Sequence, residues 1–156
     1  MSVSNNSYSH SSPEPIKILL VEDNPGDVRL LKEAFDATKR EMNLHTVPTG
    51  DAAMEFLTQC RTEPSRSLPA LIFVDLNLPG ADGCDVLETI RNDPNLPYLP
   101  VIMLSSSDDH EEIRRCYNAT ANAYLTKPRD HDRFVSLVEA VEAFWFEHVH
   151  FPERPQ

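Results

Sequence analysis

Lysine is scarce in this chain: Lys17, Lys32, Lys39 and Lys127 stand alone among 14 basic residues that face 25 acids, for a formal charge of −11. That much negative charge repels nucleic acid and anionic membrane over most of the surface and argues against direct DNA binding. A surface so acidic and lysine-poor fits life in high salt as well as it fits an ordinary acidic bacterial protein. Cysteine is scarce too. Cys60, Cys84 and Cys116 are odd in number, widely spaced and form no Cys-x-x-Cys pair, which excludes a disulfide framework and favours a reducing cytoplasm. No apolar run approaches the roughly 18 residues of a membrane span. The Ser-, Asn- and Pro-rich opening, residues 1–15, lacks the apolar centre of a signal peptide and is expected to be a disordered tail. The histidines do not suggest zinc, because His148 and His150 straddle one residue and no cysteine or further histidine lies at finger spacing.

What is present is enough for one domain. Residues 16–21 and 71–74 are apolar runs, and 101–104 is another, as expected for parallel strands covered on both faces. Weaker strands are predicted at 43–47 and 123–126. Between them lie helical stripes: Val28, Leu31 and Phe35 behind an Asn24-Pro25 start; Ala53, Phe56 and Leu57; Val86, Leu87 and Ile90. A polar fourth helix is predicted to open on a box of Asp108 with Glu111, and a fifth to run from about 130 to about 148. Five strands alternating with five helices predict a doubly wound α/β sandwich of three layers around a five-stranded parallel sheet.

Two of these strands end on charge. The first runs into Glu22-Asp23 and the third into Asp75, and in a parallel sheet the carboxyl ends share the face where ligands bind. Three acids at one sheet edge ask for a cation. The fourth strand ends on Ser105 and the fifth on Lys127-Pro128. An aspartyl-phosphate phosphatase would also use a strand-end aspartate, but it needs a second one two residues later, where this chain has Asn77.

Glu22-Asp23, Asp75, Ser105 and Lys127-Pro128, in this order at successive strand ends, resemble the receiver domain of two-component response regulators. The resemblance covers residues 16–147, with 148–156 as a short extension. It implies a flavodoxin-like sheet of order 2-1-3-4-5 and a cytoplasmic phosphoacceptor signalling protein that catalyses only its own phosphorylation and dephosphorylation. Asp75 would be the nucleophile that takes a phosphoryl group from a sensor histidine kinase. Mg²⁺ would sit on Asp23, Asp75 and the Asn77 carbonyl, with Glu22 reaching it through water or as a longer ligand. Lys127, the Ser105 hydroxyl and the Ser106 amide would receive phosphoryl oxygens. Ser105 and Tyr124 would form the switch pair, and the Lys127-Pro128 bond would be cis. Many receivers carry glycine where this chain has Thr120, and Asn118 is expected to take over that turn.

Only 149–156 follow the fifth helix, so output is expected to be a contact of the receiver itself. Phe144-Trp145-Phe146 cannot all face one core, because successive helical residues point about 100° apart. With Val149, Phe151 and the proline that follows, this ending looks like the stand-alone regulators of cyanobacterial phytochrome kinases. That likeness implies a homodimer, with a separate downstream protein or phosphotransfer protein as a further partner. A relay intermediate, handing phosphate to another histidine protein, is the alternative use of the same site.

Overall fold

Each strand of the sheet presents alternate residues to two different cores. A computed structural model describes residues 15–38 and 40–148, without the side chains of 146–148. Its elements are β1 (Ile16–Val21), α1 (Pro25–Asp36), β2 (Met42–Val47), α2 (Gly50–Thr62), β3 (Leu71–Asp75), α3 (Gly83–Asn92), β4 (Val101–Ser105), α4 (His110–Asn118), β5 (Ala123–Thr126) and α5 (His131–Glu142). All strand pairs are parallel, in the order β2-β1-β3-β4-β5. Ile18, Leu20, Leu71, Phe73, Ile102 and Leu104 point to one face and pack on Leu31 and Phe35 of α1 and Phe134 and Val138 of α5. Leu19, Val21, Ile72, Val74, Val101 and Met103 point to the other and pack on α2, α3 and α4. The two-residue period of a strand thus builds the three layers directly. Successive strands are laid down leftward from β1 to β2 and then rightward from β3 onward, so the order reverses between β1 and β3 and the crevice of this fold lies at their carboxyl ends.

Helix starts follow local chemistry. Asn24 Oδ1 accepts from the Asp27 amide at 3.0 Å, with Pro25 in the first helical position. Asp82 and Asp85 form a reciprocal box at the start of α3, which the sequence reading did not name. At α4 the cap is Asp109, which accepts from the Glu111 amide at 2.8 Å, and not the expected Asp108. An aspartate two residues ahead of the amide it serves reaches it as well as one three ahead, so spacing alone did not separate them. After α5, residues Ala143–His148 continue as a wider π-helical coil, so the helical path reaches 148 as predicted while the winding changes.

Asn118 does not take over the turn before β5. It closes α4, and Thr120 itself adopts a left-handed φ of 72°. The turn is held from outside: Arg91 donates through Nε and Nη2 to the Thr120 carbonyl at 3.0 and 2.9 Å, and through Nη1 to the Leu99 carbonyl at 2.6 Å. A branched side chain in this region is strained by about 1–2 kcal/mol. Thr120 is exposed, so its removal forfeits little packing. Thr120→Gly is therefore expected to gain about 0.5–1 kcal/mol after the added entropy of the unfolded chain, read as a melting point roughly 2–4 °C higher.

Candidate phosphoacceptor site

At the crevice between β1 and β3, the strand ends bring Glu22, Asp23 and Asp75 together, with one oxygen from each within 4.8 Å of the others. Glu22 and Asp75 are buried, at 2% and 3% exposure, whereas Asp23 faces solvent. They are the one group of three possible metal-ligating side chains among the described residues. Every donor is a carboxylate oxygen, a set that suits a hard divalent cation and not a soft one.

Lys127 reaches this group from the end of β5. Its Nζ lies 2.6 Å from Glu22 Oε1, 2.8 Å from Asp27 Oδ2 and 3.1 Å from Asp75 Oδ2. Burial pulls the ammonium's pKa down, but hydrogen bonds to Asp27 and Glu22 and the charges of Glu22 and Asp75 outweigh it and hold the group above the ordinary lysine range. Glu22 is pushed up to about 7, first by burial and then by its hydrogen bond with Asp75, against the opposing pull of Lys127. Its Oε2 also accepts from the Asn24 amide at 3.2 Å. The expected cis bond at Lys127-Pro128 is absent, since no cis peptide occurs among the described residues. The long flexible lysine stem brings the ammonium to the acids across a trans bond.

Asp75 is fixed on its other oxygen by the Asn77 amide, which donates to Oδ1 at 3.2 Å, while the Asn77 residue itself is exposed. Pro79-Gly80 turns the chain, with Gly80 at φ 77°. Gly83 then lies directly under the acid. A Cβ there would collide with the Asp75 carbonyl oxygen and come within 2.8 Å of Leu76 Cα, both backbone atoms that cannot rotate away. Gly83→Ala is expected to lower stability by about 2–3 kcal/mol in denaturant unfolding and to slow phosphoryl uptake by shifting Asp75.

The register sets the remaining groups. Asp75 pairs with Leu104, one residue before Ser105, and Ser105 pairs with Thr126, one residue before Lys127. Ser105 is wholly buried and its Oγ accepts from the Ser107 amide at 3.1 Å. Ser106 is exposed beside it. Tyr124 is half-buried, and its hydroxyl donates to the Ser107 carbonyl at 2.9 Å, so the ring is tied to the loop that leaves Ser105. Its backbone amide, on the outer edge of β5, is covered by the Tyr117 hydroxyl at 3.1 Å.

At the far end of α5, Phe144 is 57% exposed, whereas Trp145 packs against the α1–α5 core; their rings meet edge to face at 5.6 Å. The Phe146 side chain, Val149 and Phe151, also expected at an interface, lie outside the described residues.

Sequence reading missed Asp27, an acid in the first turn of α1. The available signal was its place one turn into a helix that begins beside the acidic strand end, which returns its carboxylate to that edge.

The family model for the response regulator receiver domain matches residues 18–139. Response regulator Rcp1 of Synechocystis sp. is 38% identical over 144 residues, covering 92% of this chain and 98% of that protein. The solved structure of the Mn²⁺-bound form of Rcp1 aligns with a TM-score of 0.77 at 37% identity, over 89% of this chain and 100% of that one. The phosphorylated cyanobacterial phytochrome response regulator RcpA aligns with a TM-score of 0.80 at 37% identity, over 90% of this chain and 100% of that one.

Proposed function

The chain belongs to the response regulator receiver domain family, and we propose that it is a phosphoryl-operated switch in which Asp75 accepts the group from the phosphohistidine of a sensor kinase. Members of this family are signalling phosphoacceptors that take phosphate from histidine kinases, not enzymes acting on a separate substrate. The observation that carries the assignment to Asp75 is its burial at the end of β3, 3.1 Å from the Lys127 ammonium and grouped with two further acids.

In the proposed reaction an Asp75 carboxylate oxygen forms a bond to phosphorus, and the bond from phosphorus to the histidine nitrogen breaks, its electron pair leaving with nitrogen. Mg²⁺ on Glu22, Asp23, Asp75 and the Asn77 carbonyl would screen the repulsion between the two anions when bound. Support for a metal comes from the all-carboxylate donor set and from the Mn²⁺ in Rcp1. Lys127 and the Ser106 amide then hold phosphoryl oxygens. Ser105 turns its hydroxyl to another, giving up its bond from the Ser107 amide. Tyr124 hangs on the same loop through the Ser107 carbonyl, so that movement biases its ring and the surface of α4, β5 and α5.

The output would be contact between copies of the chain through Phe144, Trp145, Phe146, Val149 and Phe151. Exposed Phe144 beside Trp145 supports an apolar contact there. Two measurements test the proposal. Incubation with a small acyl phosphate and Mg²⁺ is expected to add one phosphoryl group that maps to Asp75; uptake at another residue, or none, overturns the assignment. Light scattering with Mg²⁺ and beryllofluoride is expected to show a monomer becoming a dimer, and an unchanged mass with beryllofluoride bound removes induced dimerisation.

A further inference from the structure

Lys127 has three N–H bonds and three carboxylate neighbours within 3.1 Å, with a hydrogen bond to Asp27 Oδ2 at 2.8 Å. If Lys127 serves a phosphoryl group, as the proposed function holds, one carboxylate must yield its place. The three are not equally able to do so. The side chains of Glu22 and Asp75 are 0% and 4% exposed, and a charge left there without a partner stays desolvated. That of Asp27 is 27% exposed, in the first turn of α1, where water and the helix N-terminus both stabilise a released carboxylate.

We propose that Asp27 is a positioning residue for phosphoryl transfer: it occupies one donor of Lys127 in the resting state and competes with the incoming phosphoryl oxygen for it. This inference rests on the reading of Lys127 as a phosphoryl contact. Loss of the Asp27 charge leaves Lys127 aimed by Glu22 and Asp75, so its orientation survives. What disappears is a competing anion, and phosphoryl analogues should bind more tightly. The effect equals the loss of one partly exposed ion pair, about two- to fivefold in affinity.

The test is titration of the full chain with beryllofluoride at fixed Mg²⁺, comparing wild type with Asp27→Asn, Asp27→Glu and Asp51→Asn. Asp51 is the exposed first-turn acid of α2 and serves as the control for helix-end charge. Asp27→Asn is expected to bind about two- to fivefold more tightly, with Asp27→Glu restored to the wild-type value and Asp51→Asn unchanged. A merely structural role would not be rescued by the longer acid. Equal or weaker binding by Asp27→Asn overturns the inference, as does equal tightening by Asp51→Asn. Wild type that fails to bind beryllofluoride at all would instead bring down the reading of the site, a result separable from any difference among the variants.

Discussion

Asp75→Asn is expected to abolish phosphoryl uptake and, in the absence of divalent metal, to make the protein more stable. The two effects have opposite signs because the carboxylate is kept for its chemistry. Asp75 lies close to Glu22 and Asp23 and has one cationic neighbour, Lys127 at 3.1 Å. Two unit charges 4 Å apart interact by about 4 kcal/mol at an effective dielectric of 20, so above pH 7, where Glu22 has given up its proton, two repulsions stand against one attraction. Screening at exposed Asp23 reduces the imbalance, leaving a gain of about 1–2 kcal/mol on neutralisation. Lys127 keeps two of its three acids in the variant. Denaturant unfolding with and without Mg²⁺ checks this. Without Mg²⁺ the variant should be the more stable. Added Mg²⁺ should raise the wild type more, because a ligand held by the intact carboxylates stabilises only the folded state. A variant less stable than wild type in chelator would mean that Lys127 more than offsets the clustered charge.

The acidic edge was legible before any coordinates because strand-end chemistry is local: an apolar run that stops on Glu22-Asp23 or Asp75 places the carboxylate by itself, and parallel order places the runs side by side. The same logic carried Ser105 and Lys127. Asp27 was hidden because its role depends on where α1 departs from β1 and on a lysine a hundred residues later. Thr120 was read as a departure, but the residue that takes the left-handed turn was not, since the Arg91 clasp that holds Thr120 there is a tertiary contact. Propensity favours asparagine for such a turn. Packing chose otherwise. The terminal aromatics follow the helical pattern: Phe134, Val138 and Val141 form the buried face of α5, Trp145 lies four residues beyond Val141 and packs on the same core, and Phe144 leaves it.

Lys127→Met should do the reverse of Asp75→Asn on stability while also disabling the site. Methionine fills a similar volume, so packing is nearly kept and the change isolates the charge. It leaves Glu22 and Asp75 buried without their cation, and breaking a buried ion pair in this way costs about 3–5 kcal/mol. Part of that is recovered, because Asp27 can turn to water and Glu22 can take a proton, which puts the net loss at about 2–3 kcal/mol at neutral pH. The loss should depend on pH in a defined direction. Glu22 already holds its proton up to about 7, above its value of 4.5 in the unfolded chain. Its contribution to stability is therefore fully present below 4.5 and disappears as pH rises through 7. Without Lys127 that upper limit moves higher still, so the variant should lose stability steadily from about pH 5 to 8. The Lys127 stabilisation of the wild type, arising from a raised ammonium pKa, is fully present across this range and fades only in strong alkali. The stability difference between the two proteins in chelator should accordingly stay level below about pH 6, widen as pH rises through 7, where only the wild-type Glu22 gives up its proton, and shrink when Mg²⁺ supplies positive charge to the same carboxylates. A difference flat in pH would show that Glu22 does not share its proton equilibrium with Lys127, and that the ammonium is held by Asp27 and Asp75 instead.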